Sequence, residues 1–217
     1  MSGLRELLRG IGVFEGRLPV FDLADLPAAP HELFTRWLLQ AVKEGVREPH
    51  AMTLSTIGLD GLPSARVLIC KDVTAEGWRF AADAGGRKGR ELAASPAAAL
   101  TFYWPAQARQ VRVRGTVEPA SAAESAADFL ARSPSARAEA LLGRQSSPLA
   151  DPAVREREAA AAADRIAADP GLVAPGWTLY TLLPGQVEFW QGDTRRAHTR
   201  VEYRRAAGGW ERGSLWP

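Results

Sequence analysis

The 217-residue chain has one cysteine and three histidines. A lone thiol rules out a disulfide framework. Cys70 sits inside the apolar run RVLIC, where a buried, reduced side chain is expected. His31, His50 and His198 are scattered, which argues against a zinc site, and no metal is expected. No run approaches the roughly 18–20 apolar residues that cross a bilayer. The start, MSGLRELLRG, lacks the apolar centre of a signal peptide, so a cytoplasmic protein without membrane contact is expected. Charge of one sign is also scarce. Lys and Arg total 27 against 25 Asp and Glu, a net +2, so any anion site must be local. P-loop, Gly-x-Gly-x-x-Gly and Gly-x-Ser-x-Gly patterns are missing, which argues against ATP sites, classical dinucleotide sites and a hydrolase elbow. The aromatics are dispersed and form no RNP-like run, so nucleic acid is not an expected partner.

What is present is a series of short alternating runs broken by turn signals. Residues 1–30, punctuated by Gly and Pro, read as an extended arm. HELFTRWLLQAVKEG (31–45) reads as a helix, with Leu33, Phe34, Trp37, Leu38, Ala41 and Val42 on one face. AMTLSTI (51–57), SARVLICK (64–71), GWRFAA (77–82), AAALTFYW (97–104) and ARQVRVRGTVE (108–118) read as strands, with Asp60-Gly61 marking a turn. Residues 120–170 switch to helical composition. Their last helix carries Asp151 as N-cap and Pro152 at its first position. Strands over 176–184, over 186–191 and from about Ala197, then GWERGSLWP, close the chain. Mainly β structure with peripheral helices, arranged as an antiparallel barrel or sandwich, fits this order. Residues 31–217 read as one domain with a helical insertion at about 120–170.

Four places collect anion-binding chemistry. In VEFWQGDTRRAHTR (187–200), Arg196, His198 and Arg200 share parity, and on a strand they project from one face beside Trp190. Cations so placed repel one another unless an anion or carboxylate joins them. GGRKG (85–89) lets the backbone approach a ligand next to Arg87 and Lys88. Arg66 and Lys71 flank VLIC at a spacing that puts them on opposite faces of an ideal strand, unless a bulge or strand end intervenes. RQSS (144–147) offers amide and hydroxyl donors between two helices. Each is weak alone and equally describes a solvated turn or edge.

RVLICK, GGRKGREL, RQVRVRG, RQSS and VEFWQG…R-x-H-x-R…W…L-x-P, in this order, resemble the pyridoxamine 5'-phosphate oxidase family of flavin enzymes over about residues 31–217. The resemblance implies an FMN-binding split β-barrel with Greek-key-like connections. It also implies a homodimer with FMN at the subunit interface, acting on a small molecule and O2. Carried over, Arg66, Lys71, Arg87 and Lys88 serve the phosphate end of FMN and its surroundings. Gln110, Gln145, Ser146, Trp190 and Arg200 contact the rest. Arg196 and His198 are the catalytic candidates facing the substrate.

The departures bear on the substrate. The vitamin B6 enzymes grip its phosphate with lysine, tyrosine, arginine and serine. This chain keeps Lys71 and Arg132 but has Asp128 at the tyrosine position and Ala136 at the serine position. A carboxylate about 5 Å from a phosphate charge costs roughly 3 kcal/mol per pair of unit charges at an effective dielectric near 20. A tyrosine-threonine pair is Ala81-Ala82, and the arm lacks Arg-Arg-x-Tyr. GRLPVFD and GVREPHAM look closer to the flavin oxidases of phenazine biosynthesis. The leading expectation is an FMN-dependent oxidase of a planar reduced heteroaromatic, such as a dihydrophenazine carboxylate held by Arg196 and His198. A true pyridoxamine (pyridoxine) 5'-phosphate oxidase and a non-catalytic flavin-binding protein remain the alternatives.

Overall fold

The computed structural model describes residues 3–14 and 16–217. The chain runs α1 (Leu4–Gly10), α2 (Pro30–Lys43), β1 (Ala51–Ile57), β2 (Pro63–Ile69), β3 (Asp72–Val73), β4 (Trp78–Asp83), α3 (Arg87–Ala94), β5 (Ala97–Trp104) and β6 (Arg109–Pro119). It continues through α4 (Ala122–Leu130), α5 (Pro134–Leu141), α6 (Pro152–Ala168), β7 (Trp177–Gln191), β8 (Thr199–Ala206) and β9 (Gly209–Ser214). Strand neighbours follow the order β2-β1-β5-β6-β7-β4-β3, with β8 on β7 and β9 on β8. The registers of β3 with β4, β4 with β7, β7 with β8 and β8 with β9 are all antiparallel. Among the described residues, no helix is long and apolar enough to cross a membrane.

The chain forms two compact units, one of residues 1–52, 101–113 and 185–217, the other of 53–100 and 114–184. In the first, α2 starts at Pro30, whose missing N–H costs nothing at that position. Leu33, Phe34, Trp37 and Ala41 form its buried stripe. Phe34 meets Phe102 at 4.7 Å between ring centroids, and Trp37 meets Phe189 at 5.3 Å, both edge-on, as the ring quadrupoles favour. Arg109, 2% exposed, lies over the Trp37 ring at 4.1 Å and donates to Gln191 and Gln40. Burial lowers its guanidinium pKa to about 10, opposed by the Glu44 carboxylate.

In the second unit, Gly61 takes φ +80° in the turn after β1, and the Asp60 carboxylate accepts from the Leu62 N–H. Phe80 stacks on Tyr180, and Phe129 packs with Ile166 and Ala174 under Trp177. Asp151 caps α6 by accepting from the Ala153 N–H at 2.9 Å, with Pro152 at the first position, as its sequence reads. Burial raises the Cys70 thiol to about 12, which keeps it protonated.

Three elements differ from the sequence reading. Residues 1–30 are not extended throughout, because α1 forms in them. The Gly-rich segment at 85–89 is the start of helix α3, not only a turn. Its Gly89 lies so close to the preceding loop that a Cβ would sit 2.3 Å from the Ala84 carbonyl oxygen, so glycine here serves packing inside the helix. The two strands expected over 176–184 and 186–191 are one strand, β7. Pro184 and Gly185 are accommodated within an extended backbone.

Candidate functional site

The second unit brings five of the expected residues to one cavity of about 380 Å³. Arg66, Arg87, Lys88, Gln145 and Ser146 line it, together with Ala65, Val67 and Leu68 of β2. Arg66 projects from β2 and is fixed on three sides. Its Nη1 donates to Thr56 Oγ1 at 2.5 Å, and its Nη2 donates to Ser64 Oγ at 2.5 Å and to Glu91 Oε2 at 2.8 Å. Thr56 Oγ1 in turn donates to Glu91 at 2.6 Å. Glu91 lies one turn into α3 from Arg87, whose Nε is 3.5 Å from its other oxygen. Burial alone would raise the Glu91 pKa. Hydrogen bonds from Thr56 and Arg66, with the Arg66 charge, outweigh it and hold the carboxyl below its ordinary value.

Arg87 and Lys88 occupy the first positions of α3, with Gly86 at the N-cap. Lys88 is buried and donates to the Gln145 side-chain oxygen. Burial, then the nearby Arg66 charge, lowers its pKa. Ser146 takes φ +70°, turning the RQSS loop toward the cavity it lines. Glu91 pairs with Arg66 and Arg87, and the Asp83 carboxylate also acts on Lys88, so three cations gather against two carboxylates, a surplus that a phosphate would take up.

Lys71 does not join that cavity's walls. β2 ends at Ile69, and the Lys71 N–H bonds the Arg79 carbonyl, opening β3. Its ammonium pairs with Asp128 at 3.2 Å. Asp128 also accepts from Trp177 Nε1 at 2.8 Å, and Arg132 lies over the Trp177 ring at 3.9 Å. Arg132 Nη1 is buried with no hydrogen-bond partner. Burial lowers the pKa of Arg132, countered by the Asp128 charge. A second cavity, also of about 380 Å³, is lined by Arg132, Trp177, Asp83 and Gln145 among others.

In the first unit, the tail segment is not one continuous strand. β8 begins at Thr199, so the shared parity of Arg196, His198 and Arg200 does not put them on one face. Arg196 sits in a turn closed by its N–H on the Asp193 carbonyl, with φ +65°. His198 Nδ1 accepts from the Asp193 N–H at 3.1 Å, so the neutral ring carries its proton on Nε2. The ring lies 5.0 Å from Trp190, and Phe14 of the N-terminal segment packs on both. Arg200 stands opposite Trp190 in the β7–β8 register. Its Nε donates to Glu188 at 2.9 Å and its Nη1 to the Trp216 carbonyl at 2.7 Å. Arg112 pairs with the other Glu188 oxygen. Gln110, half-buried, shares the Arg112 face of β6.

The sequence reading missed Glu91, Thr56, Glu188 and Trp177. Glu91 could have been found from the i,i+4 spacing to Arg87 once RKGREL is read as a helix. The signal for Glu188 is an acid inside the apolar run VEFW. Thr56 and Trp177 carry no sequence signal of this kind. Among the described residues, no group of three or more His, Cys, Asp or Glu could hold a metal ion.

Two family models match. Residues 38–165 match pyridoxamine 5'-phosphate oxidase, and residues 177–217 match the pyridoxine 5'-phosphate oxidase C-terminal dimerisation region. The chain is 45% identical over 197 residues to a pyridoxine/pyridoxamine 5'-phosphate oxidase of Thermosynechococcus vestitus, covering 89% of this chain and 92% of that one. It is 40% identical to the protein of that name from Hyphomonas neptunium, covering 94% and 92%. The fold is similar to PhzG from Burkholderia lata 383, solved in complex with tetrahydrophenazine-1-carboxylic acid. The TM-score is 0.86 at 30% identity, covering 93% of this chain and all of that one.

Proposed function

The chain belongs to the pyridoxamine 5'-phosphate oxidase family, and from that premise we propose that it is an FMN-dependent oxidase acting on a small planar heteroaromatic. The substrate gives up two electrons, which pass to O2. The observation that carries this reading is the convergence of Arg66, Arg87, Lys88, Gln145 and Ser146 on one cavity with surplus positive charge. The donor set fits FMN: cations for its phosphate and neutral donors for the remainder. FMN, when bound, supplies the two-electron acceptor.

The chain's own residues hold and orient. Arg66, Arg87 and Lys88 take the phosphate end, with Lys71 in its surroundings. Gln110, Gln145, Ser146, Trp190 and Arg200 meet the rest of the cofactor. Arg196 and His198 face the substrate, with His198 offering the proton it carries on Nε2. Two copies associate through the C-terminal region and complete the sites.

For the substrate, the Lys71–Asp128 pair favours a compound other than pyridoxamine phosphate, such as a dihydrophenazine-type intermediate. The second reading is a pyridoxamine/pyridoxine 5'-phosphate oxidase, which the names of the relatives at 40–45% identity favour. The test has two steps. Purified protein should show a flavin absorbance spectrum. Oxidation of dihydrophenazine carboxylates should then release peroxide faster than oxidation of pyridoxine phosphate. A colourless protein that takes up no FMN overturns the oxidase reading. Efficient turnover of pyridoxine phosphate selects the second substrate. Bound FMN that no candidate reduces anaerobically identifies a flavin carrier.

A further inference from the structure

We propose that Asp128 is a specificity-determining residue that excludes phosphate dianions and leaves Arg132 as an anchor for a substrate monoanion of the carboxylate class. The proposal rests on the oxidase reading and names the substrate class of that same site.

Four side chains of the second unit carry it. Lys71 and Arg132 are two cations near one tryptophan, a pair that would suit two negative charges. Asp128 changes that sum. One oxygen lies 3.2 Å from the Lys71 ammonium, and the other accepts from Trp177 Nε1 at 2.8 Å. Both oxygens are thereby engaged, and the carboxylate is mostly enclosed, with 15% of its side chain exposed. Lys71 keeps N–H donors beyond its pair with Asp128, but an anion that reaches it also meets the Asp128 carboxylate.

Arg132 is in the opposite condition. Its guanidinium carbon lies 3.9 Å from the centroid of the Trp177 ring, the indole whose N–H donates to Asp128. Its Nη1 is buried without a partner. A buried unsatisfied donor is costly, and an acceptor brought by a ligand removes that cost. Lys71, Arg132 and Asp128 together carry one net positive charge, which one carboxylate neutralises. A phosphate dianion would leave a surplus negative charge next to Asp128.

The test titrates the FMN-loaded protein with two unreactive probes. One is 4-deoxypyridoxine 5'-phosphate, a planar phosphate. The other is phenazine-1-carboxylate, a planar monoanion. The readout is perturbation of the flavin absorbance. Wild type should bind the carboxylate at least about 10-fold more tightly than the phosphate, given the charge term at short range. Asp128→Asn should tighten the phosphate by roughly 30- to 100-fold and change the carboxylate by less than about 3-fold. Arg132→Gln should weaken the carboxylate by roughly 10- to 100-fold, the loss of one charge-assisted contact. Wild type that prefers the phosphate, or an Asp128→Asn protein whose phosphate affinity is unchanged, overturns the proposal. The wild-type comparison decides even if a variant fails to fold. Loss of flavin binding in wild type would instead overturn the oxidase reading.

Discussion

The Arg66 cluster of one unit and the Arg200 cluster of the other share a device and differ in what it leaves over. Each guanidinium is held by a buried glutamate, Glu91 under Arg66 and Glu188 under Arg200. In the first cluster the neighbouring cations, Arg87 and Lys88, come from a helix start, and Lys88 is tied to a neutral amide. In the second, Arg112 shares the same glutamate as Arg200, so two cations gather there rather than three. An arginine paired with a buried carboxylate is therefore not withdrawn from ligand binding. The carboxylate fixes its direction, and the surplus around it sets the charge of the ligand. By that count the Arg66 cluster suits a phosphate, and the Arg200 cluster suits a weaker acceptor such as a ring or sugar oxygen.

The largest expected effect tests the first half of this contrast. Arg66→Ala removes two or more contacts to a dianion and strands Glu91. FMN affinity should fall by roughly 100- to 10,000-fold, measured by fluorescence titration, since each charged contact is worth about 1.5–3 kcal/mol. A loss equal to that of Arg200→Ala would erase the distinction between the clusters. Arg200→Ala should weaken FMN by roughly 10- to 100-fold and yield a paler protein, because Glu188 keeps Arg112 as a partner. Arg196→Ala should keep the yellow colour and lower kcat/KM by about 10-fold, near 1.4 kcal/mol, because its side chain stands in a turn outside both glutamate pairs. The opposite colour pattern for Arg196 and Arg200 would reverse their assigned roles.

The smallest effect concerns pH. The Glu91 carboxyl lies below its ordinary value of 4.5 in the folded chain. Its contribution to stability is therefore complete above about pH 4.5 and is lost as pH falls through the lowered value. Glu91→Gln should unfold at a lower temperature than wild type at neutral pH, by about 2–4 °C for each kcal/mol lost. That gap should narrow below pH 4.5. A gap independent of pH would show that Glu91 acts by shape rather than charge.

Composition and local pattern determined much of this protein before any fold was known. The scarcity of cysteine and of charge surplus, the alternation of VRVR and the Asp151-Pro152 helix start are all local, and local rules read them correctly; of the stripe expected on the first long helix, Leu33, Phe34, Trp37 and Ala41 are buried, whereas Val42 stays 58% exposed. Tertiary structure alone decided which cations face a ligand and which face a carboxylate. Arg66 and Glu91 are 25 residues apart, Arg112 and Glu188 are 76 apart, and Lys71 and Asp128 lie on different elements. Parity along a supposed strand grouped Arg196, His198 and Arg200, and a turn at Asp193 separated them. A sequence displays its charges one by one. How each is spent depends on partners that only the folded chain brings within about 3 Å, because a charge taken out of water is tolerated only where such a partner meets it.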